Sequence, residues 1–356
     1  ILAFAKAFAA RYHGCSRFCY AAGLSCEQIG LWYSAALMQV GVNLPAYEER
    51  DLMMYDGWHS APANPHLDRA KQRLKMEFDH IDAATIHVHG SIRVWCGDFK
   101  NFVGSQHTFV GYAECAGMLL AGVDKAVVQR EIALWDRTSG ATAHGVHYSH
   151  TGRRKTGGAA TSVGNTLVTM GFYLSVIVEF GLNPQLCWLL ALGDDSVFVC
   201  HDPKAETVPW VAWAKRLGFD FVPRYVPSYD VDFCSGRFWP TADGLVLGPK
   251  PFRVLAKTGW SLGIVKSWRV HLNGVALGLL CDTHYVPILR VLFKKALAET
   301  PHTGFIVWDE YKHHAAEFHE PSDLLSLFFE NVYHYNFANV IELERQILRA
   351  RFPMFI

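Results

Sequence analysis

LALGDDSVFVC, residues 190–200, sets two apolar runs on either side of a Gly-Asp-Asp triplet. Such runs around a Gly-Asp turn predict a β-hairpin with Asp194 and Asp195 at its bend. Adjacent carboxylates repel, and in a half-buried setting one of them holds its proton more tightly. A cation beside them removes that cost, so the stretch points to a divalent metal.

Upstream of the hairpin, TGRRKTGGAATSVGNTLVTMGFYLSVIVEFGL (151–182) reads as a basic, Gly-containing loop running into a long helix. Val163, Leu167, Met170, Leu174 and Ile177 recur at spacings of three and four and predict one buried stripe. Thr161 and Asn165 share another face, turned away from that stripe towards something polar. Further upstream, SIRVWCGD (91–98) reads as a strand ending on Asp98, and residues 108–136 read as helical. Residues 66–79 place Leu67, Ala70, Leu74 and Phe78 on one helical face, with Arg69, Lys71, Arg73 and Lys75 off it. Downstream, 208–219 is helical, DFVPRYV (220–226) a short strand, and VDFCSGRFWP with GLVLGPK (244–250) a second hairpin. Beyond about residue 255 the apolar period is mostly helical, as in 285–299 and 322–352. No internal repeat is visible.

At 356 residues the chain has room for one large domain or two to three packed subdomains. It is 51% hydrophobic and 19% charged, which excludes a disordered chain. The net charge is zero, so any electrostatic footprint for a polyanion must be local. Nine scattered cysteines, an odd number, fit reduced thiols in a cytosolic setting. His13, Cys15, Cys19 and Cys26 are too irregularly spaced for a zinc site. The start at Ile1 leads us to expect a segment of a longer polypeptide, without a signal peptide. The most apolar window, 166–192, is interrupted by Glu179, Asn183 and Pro184, which argues against a membrane span.

If the strand ending in Asp98 neighbours the Gly-Asp-Asp hairpin, three carboxylates converge. Hard oxygen ligands with room for water suit Mg²⁺. Two such ions, about 3.5–4 Å apart, form the clamp used in phosphoryl transfer, one on the attacking oxygen and one on the leaving oxygen.

The order of these pieces carries more information than any one of them. A strand ending in Asp98 precedes Thr156-Gly157-x3-Thr161-x3-Asn165-Thr166, then the Gly-Asp-Asp hairpin, then Phe233-Cys234-Ser235. This set resembles the palm of RNA-dependent RNA polymerases of positive-strand RNA viruses, with a tombusvirus- or nodavirus-like flavour. GDFKNFVGSQH (97–107) resembles the family's first metal motif, and LGDDSVF its second. TGGAATSVGNT (156–166) resembles the loop and helix that sense template and ribose, and FCSGRFWP the turn that grips the primer end. The resemblance covers residues 92–258.

What the resemblance implies is an α+β right-hand fold with an antiparallel-sheet palm and mainly helical fingers and thumb. Its parts would be fingers (1–92), palm (93–116), a fingers insertion (117–150), palm again (151–254) and thumb (255–356). Asp98 and Asp194, assisted by Asp195, would hold two Mg²⁺ (or Mn²⁺). Thr161 and Asn165 would sense the ribose, and Thr156, Gly157, Val103, Arg154 and Lys155 would contact substrate. Arg153, Arg154 and Lys155 stand where a Gly-rich turn meets a helix N-terminus, a favourable place for phosphate. Lys215 and Arg224 lie where the family keeps its general acid. Implied partners are an RNA template and nascent strand, nucleoside triphosphates and other replication proteins, in a viral replication complex in the host cytoplasm. RNA affinity at zero net charge would require Arg69, Arg73, Arg153, Arg154, Lys155, Arg237, Lys250 and Lys257 to line an inner channel.

The sequence departs from the family at two places. Asp-x4-Asp is usual in the first motif, its second carboxylate pairing with the motif-helix Asn; here that position is Val103, which has no acceptor. No basic fingers motif stands out, Arg69 to Lys75 being a candidate by position alone. Two rival readings follow: a reverse transcriptase, against which the Thr-Gly-x3-Thr-x3-Asn-Thr pattern speaks, and a degenerate palm acting as an RNA-binding or structural part.

Overall fold

The computed structural model describes residues 8, 17–38, 92–120, 122–154, 161–242, 244–258, 260, 261, 265, 267–300 and 321–350. Residues 8, 17–24, 36–38 and 92–234 of these belong to one compact unit, and 25–35 with those from 235 onward to another.

The chain order begins β1 (Phe18–Tyr20), α1 (Cys26–Met38), β2 (Arg93–Phe99), α2 (Phe102–Ser105), α3 (Thr108–Leu120) and α4 (Lys125–Asp136). It continues β3 (Thr138–Ala141), β4 (His147–His150), α5 (Thr161–Glu179), β5 (Cys187–Leu192), β6 (Asp195–Cys200), α6 (Trp210–Arg216), β7 (Phe221–Val226) and β8 (Asp232–Phe233). The first unit is built on a sheet of order β1-β5-β6-β2-β7. Four of its strands pair antiparallel, as the sequence leads one to expect. The exception is β1, which runs parallel to β5 with Cys19 opposite Leu190, so the sheet is mixed. That edge strand comes from the N-terminal stretch that the sequence reading assigns to fingers.

CWLLAL and the VFVC run of β6 are apolar because β5 and β6 lie inside the sheet and are covered on both faces there. On one face α5 packs against β5, and rings from five elements meet: Tyr173 on Phe198 at 5.0 Å, Phe99 on Phe221 at 4.7 Å and Trp95 on Trp210 at 5.4 Å. Gly97 is needed there. A Cβ on it would collide with the Tyr173 hydroxyl, Phe221 and Ser196, so only glycine lets β2 pass under α5.

The buried face of α5 differs from the predicted stripe. Val163, Thr166, Thr169, Met170, Tyr173, Val176 and Ile177 are buried, whereas Leu174 is 47% exposed. The polar side chains Thr166 and Thr169 take core positions because they bond into the hairpin turn described below. By length and composition α5 could cross a membrane, but here its apolar side chains help form the unit's core. The predicted helix over 108–136 is two helices. Gly122 turns the chain with φ +82°, and Asp124 caps α4 by accepting from the N–H of Ala126 at 2.8 Å.

The second unit contains a hairpin of β9 (Gly236–Thr241) and β10 (Gly244–Pro249), followed by α7 (Pro251–Lys257), α8 (Trp268–Thr283), α9 (Leu289–Glu299), α10 (Leu325–Tyr333) and α11 (Phe337–Arg349). Trp239 packs on Phe328 at 5.2 Å, and the Tyr285 hydroxyl donates to the Leu247 carbonyl at 3.0 Å. Glu344 closes the helical part by accepting from the Ile288 N–H at 2.8 Å and from Arg290. The mainly helical character read from the sequence beyond 255 holds for the described residues.

Candidate active site

Asp98 and Asp195 each lie one residue beyond the last pair of two neighbouring strands. β2 and β6 are in register through Gly97 and Ser196, so the next step outward sets Asp98 opposite Asp195, on one face of the sheet. Asp194 occupies the turn before β6. The Asp195 carboxyl is held above the usual carboxylate range, first by partial burial, then by the charges of Asp194 and Asp98. The Cys234 thiol donates to Asp195 and partly offsets this. That thiol is pushed up to about 12, by burial and then by the neighbouring carboxylates, so it stays protonated. Three carboxylates with unbalanced charge and hard oxygen donors fit a divalent cation such as Mg²⁺. Among the described residues, however, no three His, Cys, Asp or Glu side chains are gathered closely enough to form a ready metal cluster. Like charges at this spacing repel.

The turn itself is held from below. Gly193 takes φ +66°, a conformation open to glycine. Its N–H donates to Thr166 Oγ1 at 2.8 Å, and its carbonyl accepts from Thr169 Oγ1 at 2.8 Å. Two threonines of α5 thus satisfy both backbone groups of the residue before Asp194. Thr166 is part of the sequence pattern, but nothing in that pattern reveals this role, and Thr169 carries no sequence signal at all. Behind Asp98, the Tyr173 hydroxyl meets Ser196 Oγ at 3.0 Å, and Ser196 reaches the Gly97 carbonyl at 3.3 Å.

Asn165 is buried, and its partner is one the sequence does not suggest. Its Oδ1 accepts from Gln106 Nε2 at 2.9 Å, and Gln106 Oε1 accepts from Arg154 Nε at 2.7 Å. Arg154 in turn is ion-paired with Glu114, both side chains being almost wholly buried. Its guanidinium also lies 5.0 Å over the Trp135 ring. Gly164 makes the room, since a Cβ there would collide with both Arg154 and Glu114. Burial pushes the Glu114 carboxyl up, against the pull of Arg154.

This arrangement corrects several expectations. Arg154 does not face solvent or phosphate, because its charge is balanced inside the fold by Glu114. Asn165, which lacks a carboxylate partner at Val103, is held instead by Gln106. Val103 lies half-exposed on α2. The Arg153 guanidinium donates to the Gly104 carbonyl. Arg224 is ion-paired with Asp232 at 2.7 Å; this pairing outweighs burial and raises its pKa, so it is not placed to release a proton. Arg237 is buried, with its guanidinium 5.4 Å over the Tyr333 ring, which removes it from an open basic channel. Thr161 is the first residue of α5. Thr156, Gly157, Lys155, Arg69, Arg73, Lys71, Lys75, His13 and Cys15 lie outside the described residues.

The sequence profile of a family described as RNA dependent RNA polymerase matches residues 75–267, more than half of the chain. The chain is also similar to a protein of Beet yellows virus (isolate Ukraine) titled Replicase polyprotein 1ab, at 28% identity over 171 residues. That match covers 46% of this chain and 5% of the length of the relative.

Proposed function

Because the chain belongs to the RNA dependent RNA polymerase family, we propose that it carries out template-directed synthesis of RNA in the replication of a viral genome. The 3′-hydroxyl of the nascent strand would attack the α-phosphorus of a nucleoside triphosphate. One P–O bond forms, the bond to the β-phosphate bridge breaks, the hydroxyl proton passes to solvent, and pyrophosphate leaves. The observation that carries the reading is the pairing of β2 with β6, which sets Asp98 against Asp195 beside Asp194.

Asp98 and Asp194, with Asp195 assisting, are the residues that would hold two Mg²⁺ (or Mn²⁺) ions. When bound, such ions neutralise developing charge on the transferring phosphoryl group. The chain's own contribution is positioning. Thr166 and Thr169 fix the turn carrying Asp194, Tyr173 and Ser196 fix the strand carrying Asp98, and Asn165 with Thr161 would contact the ribose. Arg153, Lys155, Thr156 and Gly157 remain our candidates for phosphate and template contact. The right-hand division into fingers, palm and thumb belongs to the same proposal. So do the setting in a cytoplasmic replication complex and the partners RNA, nucleoside triphosphates and other replication proteins. Free thiols at Cys19, Cys96, Cys187 and Cys200 suit that setting.

A second reading, a palm that binds RNA without synthesis, is favoured by Val103 and by the lack of a ready metal cluster among the described residues. Incorporation of ribonucleotides on an RNA template with Mg²⁺ or Mn²⁺ decides between them. Incorporation that Asp194→Asn abolishes supports polymerase activity. RNA binding without any incorporation, with either ion, refutes it.

A further inference from the structure

Glu114, Arg154, Gln106 and Asn165 form one line of hydrogen bonds, each residue between 0% and 7% exposed. The direction of that line is forced. A guanidinium has no acceptor, so the Gln106 atom facing Arg154 must be Oε1. Nε2 is thereby turned to Asn165, and Asn165 must answer with Oδ1. Its Nδ2 is left as the donor at the end of the line, and among the described residues no acceptor takes it. Glu114 anchors the far end by holding Arg154, and Val103, near the start of the same segment, offers no lone pair that would pull the amide round.

We infer that Gln106 is a positioning residue that fixes the polarity of Asn165, so that the site reads the 2′ position of an incoming sugar only as a hydrogen-bond acceptor. The inference rests on the reading above that Asn165 faces the ribose. Its consequence is specific. A ribose hydroxyl and a 2′-O-methyl group both offer a lone pair to Asn165 Nδ2, whereas deoxyribose offers none. Selection for ribose over deoxyribose then hangs on one donated hydrogen bond, and loss of the 2′ proton goes unnoticed.

The test compares incorporation of one ribonucleoside triphosphate with its 2′-deoxy and 2′-O-methyl counterparts on an RNA template, as kcat/KM ratios. Native chain, Gln106→Glu and Asn165→Ala are measured side by side. A glutamate at 106 accepts from both neighbours, which turns Asn165 so that Oδ1 faces the sugar. A ribose hydroxyl can donate to that oxygen; a methyl ether cannot. The preference for ribose over 2′-O-methyl should rise about 5- to 30-fold, the worth of a hydrogen bond, while ribose over deoxyribose stays within a few-fold. A merely structural Gln106 would leave both ratios in place or move them together, and either result overturns the inference. Asn165→Ala should lower ribose over deoxyribose; if it moves neither ratio, the premise that Asn165 faces the sugar has failed, not the relay. Should Gln106→Glu not fold, or the native chain incorporate nothing, side-chain amide exchange in the native protein decides. Slow exchange at Gln106 and fast exchange at Asn165 uphold the polarity, and the reverse order overturns it.

Discussion

Two clusters of polar side chains flank α5, and they are built on opposite principles. The line Glu114–Arg154–Gln106–Asn165 is buried and its charges are balanced within the chain. Asp98 and Asp194 carry like charge beside Asp195, which burial first and then those charges push above the usual carboxylate range. The first cluster holds the fold together. The second opposes it, and on the proposed function a bound cation would offset that cost. Removing a charge should therefore have opposite effects on stability in the two places.

The sharpest way to break this contrast is Asp194→Asn. An amide keeps the volume and removes the charge, so synthesis should fall by about 10³-fold or more, given several kcal/mol of charge stabilisation at tenfold per 1.36 kcal/mol. The metal-free protein should melt at the same temperature as the native one or higher. A lower melting temperature would mean that Asp194 is structural. Next in size is Arg154→Met, which strands Glu114 in the interior and should cost about 3–5 kcal/mol in urea denaturation. Adding Glu114→Gln to that variant should recover part of the loss; no recovery would show that Arg154 acts through Gln106 or Trp135 alone.

Thr166→Val leaves the Gly193 N–H without its acceptor and should cost about 1–3 kcal/mol, with Thr169→Val costing less because a carbonyl tolerates a lost partner better. If each variant melts like the native chain, the turn is held by the hairpin and not by α5. The smallest effect is in the pH profile. Burial raises the Glu114 carboxyl, so in the window just above the ordinary glutamate range the folded chain binds more protons than the unfolded one. Its contribution to stability falls as pH rises through that window, and Glu114→Gln should flatten the slope there. An unchanged slope would assign the titration elsewhere.

The hairpin and its carboxylates are legible in sequence because both signals are local: two apolar runs, a Gly-Asp turn, and a strand ending in Asp98. Gln106 is not legible. Its two partners stand 59 and 48 residues away, and a lone glutamine carries no pattern. Arg154 sits in a basic run and so looks like a phosphate contact; only the fold brings up Glu114, from 40 residues upstream, to neutralise it. The predicted stripe holds at Val163, Met170 and Ile177 but fails at Leu174, because the buried face is wider and displaced from it. Apolarity alone defines the stripe, whereas the true buried face includes two threonines chosen for their hydroxyls. The parallel edge strand β1 is only three residues long, too short for any period to show.

The bond between Thr166 and Gly193 has a mechanical consequence. Asn165 is the residue before Thr166, and Asp194 is the residue after Gly193. One residue on either side of a single 2.8 Å contact therefore separates Asn165, which on the proposed function would feel the sugar, from Asp194, which would serve its phosphate. On the proposed roles, a sugar that displaced Asn165 would shift the carboxylate through this contact, and at a reacting centre a shift of about 1 Å can cost on the order of 10²-fold in rate. A misfitting nucleotide would thus be slowed at the chemical step as well as held more weakly, with no separate moving part to report the error.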